Sequence, residues 1–344
     1  MSENDNTPTS TLTLRSPADL LFELPGLLGY RPNDSLVVIF TKTRTLRCVL
    51  RMDLTDLGPE AAIRVVSIAH RAEADTVHAV VYVPGGMEEK PHATEVESLR
   101  DLLDEAGVHV AEVLLVADGR YSSYLCTDVS CCPPEGRPVP EGTPVLEAER
   151  VRAGHLAVAG SREEAAAAYR LRPDLEPSPD ALRTGRVLLS RTTAERGRVA
   201  VEAVRTLVRL QADGRLGLDL VDDELDQGFS AALMLLVQDI SVRDLLLGTL
   251  ATEPGSLSGP VEALTRTTVS SPADLRPRVA ATAAALLAAH GDNPIAFWCM
   301  VDLAEDESLA ALVRSGVELG LPPDAVRETF ADALPLVLER AAVS

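Results

Sequence analysis

Five short apolar runs, each fenced by turn or helix signals, limit what this chain can become more than any other feature. Residues 36–40 (Leu-Val-Val-Ile-Phe) are continuously apolar and largely β-branched, and 46–52 form a second run. The polar link Lys42-Thr43-Arg44 between them is short enough for a hairpin. Residues 77–83 form a third run, and 110–116 and 121–126 flank Asp118-Gly119, a strong turn pair. Helical patterns fill the gaps. Ser16-Pro17-Ala18-Asp19 reads as a helix start, with Ser as cap, Pro in the first turn and Asp favoured by the helix dipole. Leu20, Leu21 and Leu24 form its buried stripe, and Pro25-Gly26 is expected to end it. A helix over 59–72 is expected to bury Ile63, Val66 and Ala69, and one over 92–106 stops at Gly107. The order β-β-α-β-α-β-β predicts an α/β or α+β domain over 12–140, a mixed sheet with helices packed on it.

The pattern changes after residues 131–144, where Pro and Gly cluster and regular structure breaks. Beyond this boundary helical signals dominate, predicting an all-helical domain over 141–344. Residues 146–158 are helix-like, and Ser161-Arg162-Glu163-Glu164 is a capping box. Val201, Val204, Leu207 and Val208 make one helical stripe. Further helices are expected over 229–237, 242–250, 275–289, 294–304, 308–319 and 323–338. Ser271-Pro272-Ala273-Asp274-Leu275 repeats the pentapeptide at 16–20 and reads as the same helix start used again. The polar residues 1–11 are expected to be a disordered tail.

Composition narrows the functional classes. With 32 basic and 52 acidic residues the formal charge is −20, which disfavours nonspecific binding to nucleic acid. The apolar stretches fall far short of the ~20 residues that span a bilayer, and residues 1–11 lack the features of a signal peptide. Five cysteines, an odd number in a long chain, suggest a reducing compartment, so a cytoplasmic location is expected. Arg183, Arg186, Arg191, Arg196, Arg198, Arg205 and Arg209 form a basic segment. It reads either as a docking face or, more simply, as helices paired with the chain's own acidic surface. Trp298, beside Phe297, reads as a core anchor.

Two loops carry candidate chemistry. Tyr121-Ser122-Ser123-Tyr124-Leu125-Cys126 is followed by Cys131 and Cys132, placing three thiols within seven positions. Thiolates so clustered suit a soft metal such as Zn²⁺, which takes four ligands; His155 or Asp128 would have to complete the shell. The same cysteines fit a reversible dithiol or a nucleophilic thiol. They also fit small apolar residues shaping a tight loop. The second loop, Gly29-Tyr30-Arg31-Pro32-Asn33-Asp34-Ser35, brings a guanidinium, a carboxylate and a hydroxyl together, and Arg31 would clamp an anion bidentately. It equally reads as a turn. Arg51 and Asp53 close the second strand as further ligand contacts or as an ion pair. No P-loop, H-E-x-x-H or G-x-S-x-G pattern is present.

Leu14-Arg15-Ser16-Pro17-Ala18-Asp19-Leu20-Leu21, Leu24-Pro25 and Leu28 through Val38 resemble the opening of the actinobacterial domain-of-unknown-function family 4192. Ser123-Tyr124-x-Cys126 and Cys131-Cys132-Pro133 resemble that family's second hallmark, with Arg120-Tyr121 where Arg-Trp is usual. The stretch 291–323 is similar to its helical end, so the resemblance spans about 12–335. It implies a bacterial cytoplasmic protein of high-GC origin and supplies no activity. The expectation is a ligand-binding or regulatory module whose pocket lies between the two loops. Arg31, Asp34, Ser35, Arg51, Asp53, Tyr121, Ser123 and Tyr124 would line it, and its ligand would be an anionic small molecule or a protein. The alternatives are a thiol- or metal-dependent enzyme using Cys126, Cys131 and Cys132, and a structural interaction scaffold.

Overall fold

A computed structural model describes residues 16–87, 90–140, 158–189, 195–199, 202, 224–253, 257–291 and 293–343. Residues 1–11, the helix expected over 146–158, His155, the stripe at 201–208, and Arg191, Arg205 and Arg209 lie outside these.

The first helix, α1 (Pro17–Leu28), starts as its sequence dictates: Asp19 N–H donates to the Ser16 hydroxyl at 3.2 Å. It does not stop at Pro25. Proline forfeits one backbone hydrogen bond, but the next turn buries Leu28 with Leu20, Leu21 and Leu24, and Gly29 (φ 80°) then closes the helix in the left-handed region.

Strands β1 (Ser35–Lys42), β2 (Thr45–Asp53), β3 (Thr76–Tyr82), β4 (His109–Ala117), β5 (Arg120–Ser123) and β6 (Arg137–Pro138) form one mixed sheet in the order β2-β1-β3-β4-β5-β6. Only β3 and β4 pair in parallel, joined over the top by α3 (Ala93–Glu105). Asp118 and Gly119, both at positive φ, make the tight β4–β5 turn.

Side-chain alternation assigns each face of the sheet. Leu36, Val38, Phe40, Val77, Ala79, Val81, Val113 and Leu115 pack against α2 (Pro59–Arg71) and α3. Val37, Ile39, Val80, Tyr82 and Leu114 pack against α1 and Tyr30. Covered on both faces, β1 is buried from Ser35 to Phe40, which is why its sequence is a continuous apolar run rather than an alternation. On α2 the buried residues are Ala61, Ala62, Val65, Ile68 and Ala69; Ile63 is 60% exposed, so the expected face was rotated.

The second half is helical: α4 (Arg162–Ala167), α5 (Pro179–Leu189), α6 (Glu224–Leu236), α7 (Ile240–Thr252), α8 (Ser258–Val269), α9 (Arg276–His290), α10 (Pro294–Leu303), α11 (Ser308–Glu318) and α12 (Pro323–Val343). The capping box at 161–164 is real, with Glu164 N–H on Ser161 Oγ at 3.1 Å and the Glu164 carboxylate returning to Gly160 N–H at 2.7 Å. The repeated pentapeptide behaves differently here. Ser271 is buried and its hydroxyl donates to Thr267 O at 2.7 Å, closing α8, and α9 begins only at Arg276, with Pro277 in its first turn. Alanine-rich α9, wholly buried from Val279 to Ala289, is the centre of this half's core. Trp298 meets Phe297 edge-on at 5.0 Å and lies under the Arg314 guanidinium at 5.9 Å, partly buried against that core.

The halves are stitched together. Tyr30 and Ala159 form a parallel bridge, Ile295 of α10 packs into the α1-covered sheet face, and Arg71 Nη1 donates to Leu319 O at 3.1 Å. Among the described residues, no helix is long and apolar enough to cross a membrane. Two arginines of the basic segment have acidic partners within the chain: Arg183 pairs with Asp180, and Arg196 lies 2.6 Å from Asp239.

Candidate functional site

The cysteine site is built where β5 runs out. Ser123, the last strand residue and 3% exposed, organises the turn that follows. Its hydroxyl accepts from the amides of Leu125 and Cys126, both at 3.0 Å, and donates to Glu112 Oε1 at 2.6 Å. Lys90 Nζ holds the Ser123 carbonyl at 2.7 Å, and the Tyr124 hydroxyl donates to Pro91 O ahead of α3. The chain therefore leaves the sheet in a fixed direction.

A second turn returns the sulfurs. Asp128 O accepts from the amides of Cys131 (3.0 Å) and Cys132 (2.7 Å), while its carboxylate takes Ser130 N–H and Oγ–H at 2.8 and 2.7 Å. These bonds hold the Asp128 carboxyl below the usual carboxylate range. Arg120 on β5 then clamps the far side, donating to Glu135 O at 2.6 Å and Gly136 O at 2.8 Å.

The result is a cluster in which the Cys126, Cys131 and Cys132 sulfurs all lie within 4.8 Å of one another, unoxidised, with Cys131 exposed and the other two half-buried. Desolvation raises the Cys132 thiol pKa. The nearby Ser123 backbone N–H opposes this, and neighbouring Cys126 and Cys131 push it up further. Three sulfurs converging on one point are a donor set for a soft cation. Of the completing ligands expected from sequence, Asp128 spends its carboxylate on Ser130, and His155 lies outside the described residues. A tetrahedral zinc with ~2.3 Å bonds to sulfur needs sulfurs ~3.8 Å apart, so the donor set fits after a contraction of about an ångström.

The other candidates gather at the opposite side of the sheet. Ser35 stands opposite Asp53 on β2 and Tyr82 on β3, and Arg51 Nη1 lies 2.6 Å from Asp53 Oδ1. Arg51 is largely buried and Asp53 half-exposed. Arg31 and Asp34 are exposed on the loop above; Arg31 N–H donates to Ala159 O at 3.0 Å, and Asp34 (φ 45°) accepts from the Asn33 amide.

The two loops do not share a mouth. Ser35 pairs with Tyr82, Tyr82 with Val116 and Val116 with Tyr121, so three inter-strand steps, about 14 Å, separate Ser35 from Tyr121. The cysteines sit further out, off the β5 edge. Arg31, Asp34, Ser35, Arg51 and Asp53 thus form one group, and Tyr121, Ser123, Tyr124 and the three cysteines another. Reading the sequence alone missed Glu112 and Lys90, which act from outside the motif, and gave Arg120 no role in holding the loop.

No curated protein and no solved structure matches this chain significantly. Residues 17–324 of the 344 match the family model for the domain of unknown function DUF4192, and the chain belongs to that family.

Proposed function

We propose that this protein is a binding or regulatory module whose ligand is a soft divalent cation, Zn²⁺, held by Cys126, Cys131 and Cys132. The convergence of three sulfurs within 4.8 Å carries the reading. Free cysteines packed as small apolar residues would be buried, yet Cys131 is exposed. A thiol nucleophile is activated by a lowered pKa, whereas that of Cys132 is raised, which disfavours Cys132 as a nucleophile. Bound metal would neutralise three mutually repelling thiolates and lock the loop 126–132 against β5, so loop order becomes a function of metal supply.

Competition against a chromophoric chelator, with protein purified under reducing conditions, tests this. The expected result is one Zn²⁺ per chain, lost in Cys126→Ser and Cys132→Ser while the far-UV circular dichroism is retained. Binding that survives both substitutions, or no binding by the folded wild type, overturns the proposal.

A further inference from the structure

A second site, independent of the cysteines, lies at the β1–β2 end of the sheet. Two buried polar atoms there have no hydrogen-bond partner: the Ser35 hydroxyl, on a residue with 0% exposure, and Nε of Arg51. Native structures satisfy nearly all such groups, so a pair on one sheet face needs an explanation.

Register puts the two residues on one face of the sheet, one diagonal step apart. Ser35 pairs with Asp53 and Val37 with Arg51, and all four side chains point to the face covered by α1 and Tyr30. The Arg51 fork reaches along β2 to Asp53, with Nη1 2.6 Å from Oδ1, and so lies across the row that holds Ser35. Tyr30, 3% exposed, stands by the same spot: its hydroxyl feels the charges of Arg51, Arg162, Asp53 and Glu163, and burial raises its pKa.

Chemistry then selects the ligand. The Nε–H of arginine only donates, so its partner must be an acceptor, and a serine hydroxyl donates to the same acceptor without conflict. Asp53 already pairs with Arg51 and offsets its charge, which suits a ligand of one negative charge better than one of two. The location also suits a ligand: Ser35 is level with Tyr82 and Val116, at the carboxyl ends of the parallel strands β3 and β4. Exposed Asp34 precedes Ser35 in the chain, and half-exposed Asp53 is its register partner.

We infer that Ser35 Oγ and Arg51 Nε hold the carboxylate oxygen of a small monocarboxylate ligand, in a site separate from the metal loop. Nitrogen-15 spectra of the full chain labelled on arginine test this, with the Arg51 Nε–H resonance assigned by its loss in Arg51→Lys. Sodium acetate, inorganic phosphate and sodium chloride are titrated at matched ionic strength. Acetate should shift that resonance saturably, phosphate more weakly and chloride not at all. Ser35→Ala should weaken acetate binding roughly tenfold. Asp53→Asn, a change at a half-exposed residue, should tighten it by removing an opposing charge. An Arg51 signal unmoved by acetate, or acetate affinity that is the same in both variants as in the wild type, overturns the inference and leaves a trapped water as the shared partner.

Discussion

The hydroxyl of Ser123 accepts from the backbone N–H of Cys126 at 3.0 Å, so the last strand residue of β5 and the first cysteine of the loop are joined directly. The same hydroxyl accepts from the amide of Leu125, also at 3.0 Å, which makes Ser123 the support for the turn that carries Cys126. Ser123→Ala removes both bonds, leaving two loop amides without their acceptor. Zinc affinity should fall about 10- to 100-fold, the usual cost of losing a group that orients metal ligands. Ser123→Thr should restore most of it; equal loss in Ala and Thr would count against an orienting role.

Metal affinity should also climb with pH. The bound form carries thiolates, so their pKa values are depressed on binding; affinity is full above the free thiol values and is lost as pH falls through them. Because the Cys132 thiol is raised, the climb should continue above the range of an ordinary thiol. Isothermal titration across pH 6–9 in buffers of different ionisation enthalpy measures the protons released. A flat profile would contradict thiolate ligation.

The five thiols should separate by reactivity. Cys48 lies against the sheet core, and burial pushes its pKa up to about 11, so at pH 8 roughly a thousandth of it is thiolate. Burial also raises the Cys299 pKa. Alkylation followed by peptide mass spectrometry should modify exposed Cys131 first and Cys48 last, and added Zn²⁺ should protect Cys126, Cys131 and Cys132 together. Protection of Cys131 alone would argue against a shared ion.

Two glycines give a structural control. Gly29 closes α1 at φ 80° with open space around it, so Gly29→Ala should cost only about 1 kcal/mol of conformational strain. Gly136, at φ 69°, would drive a methyl into the Met87 sulfur and to 3.0 Å from Tyr121 O. Gly136→Ala should cost about 1–3 kcal/mol beyond that and weaken metal binding, because Arg120 anchors the loop through the Gly136 carbonyl. Urea denaturation ranks the two; equal costs would refute the packing argument.

Local chemistry explains which features could be read in advance. The strand and helix order of the first half was legible because β1 is an unbroken apolar run and Ser16 and Ser161 are true caps. The last four helices were legible because Gly291, Pro294 and Pro323 punctuate them. Tertiary packing decided the rest. Pro25 was outvoted by the burial of Leu28, and Ile63 lost its place to Val65 and Ile68 on α2. Ser271 was captured by the Thr267 carbonyl instead of starting a helix. Helix α8 carries no clear helical signal because it ends Thr-Thr-Val, residues that favour strands until buried. Each candidate group was visible as a motif, but the roughly 14 Å between Ser35 and Tyr121 follows from strand order, which no local pattern encodes.

Cobalt(II) substitution tests the metal site most directly, because thiolate ligation writes its own absorption band. One equivalent of Co²⁺ should produce sulfur-to-cobalt charge transfer that falls stepwise as Cys126, Cys131 and Cys132 are each replaced by Ser, and Zn²⁺ should bleach it. Folded protein that binds Co²⁺ without that band, or whose band is indifferent to all three substitutions, would contradict the account.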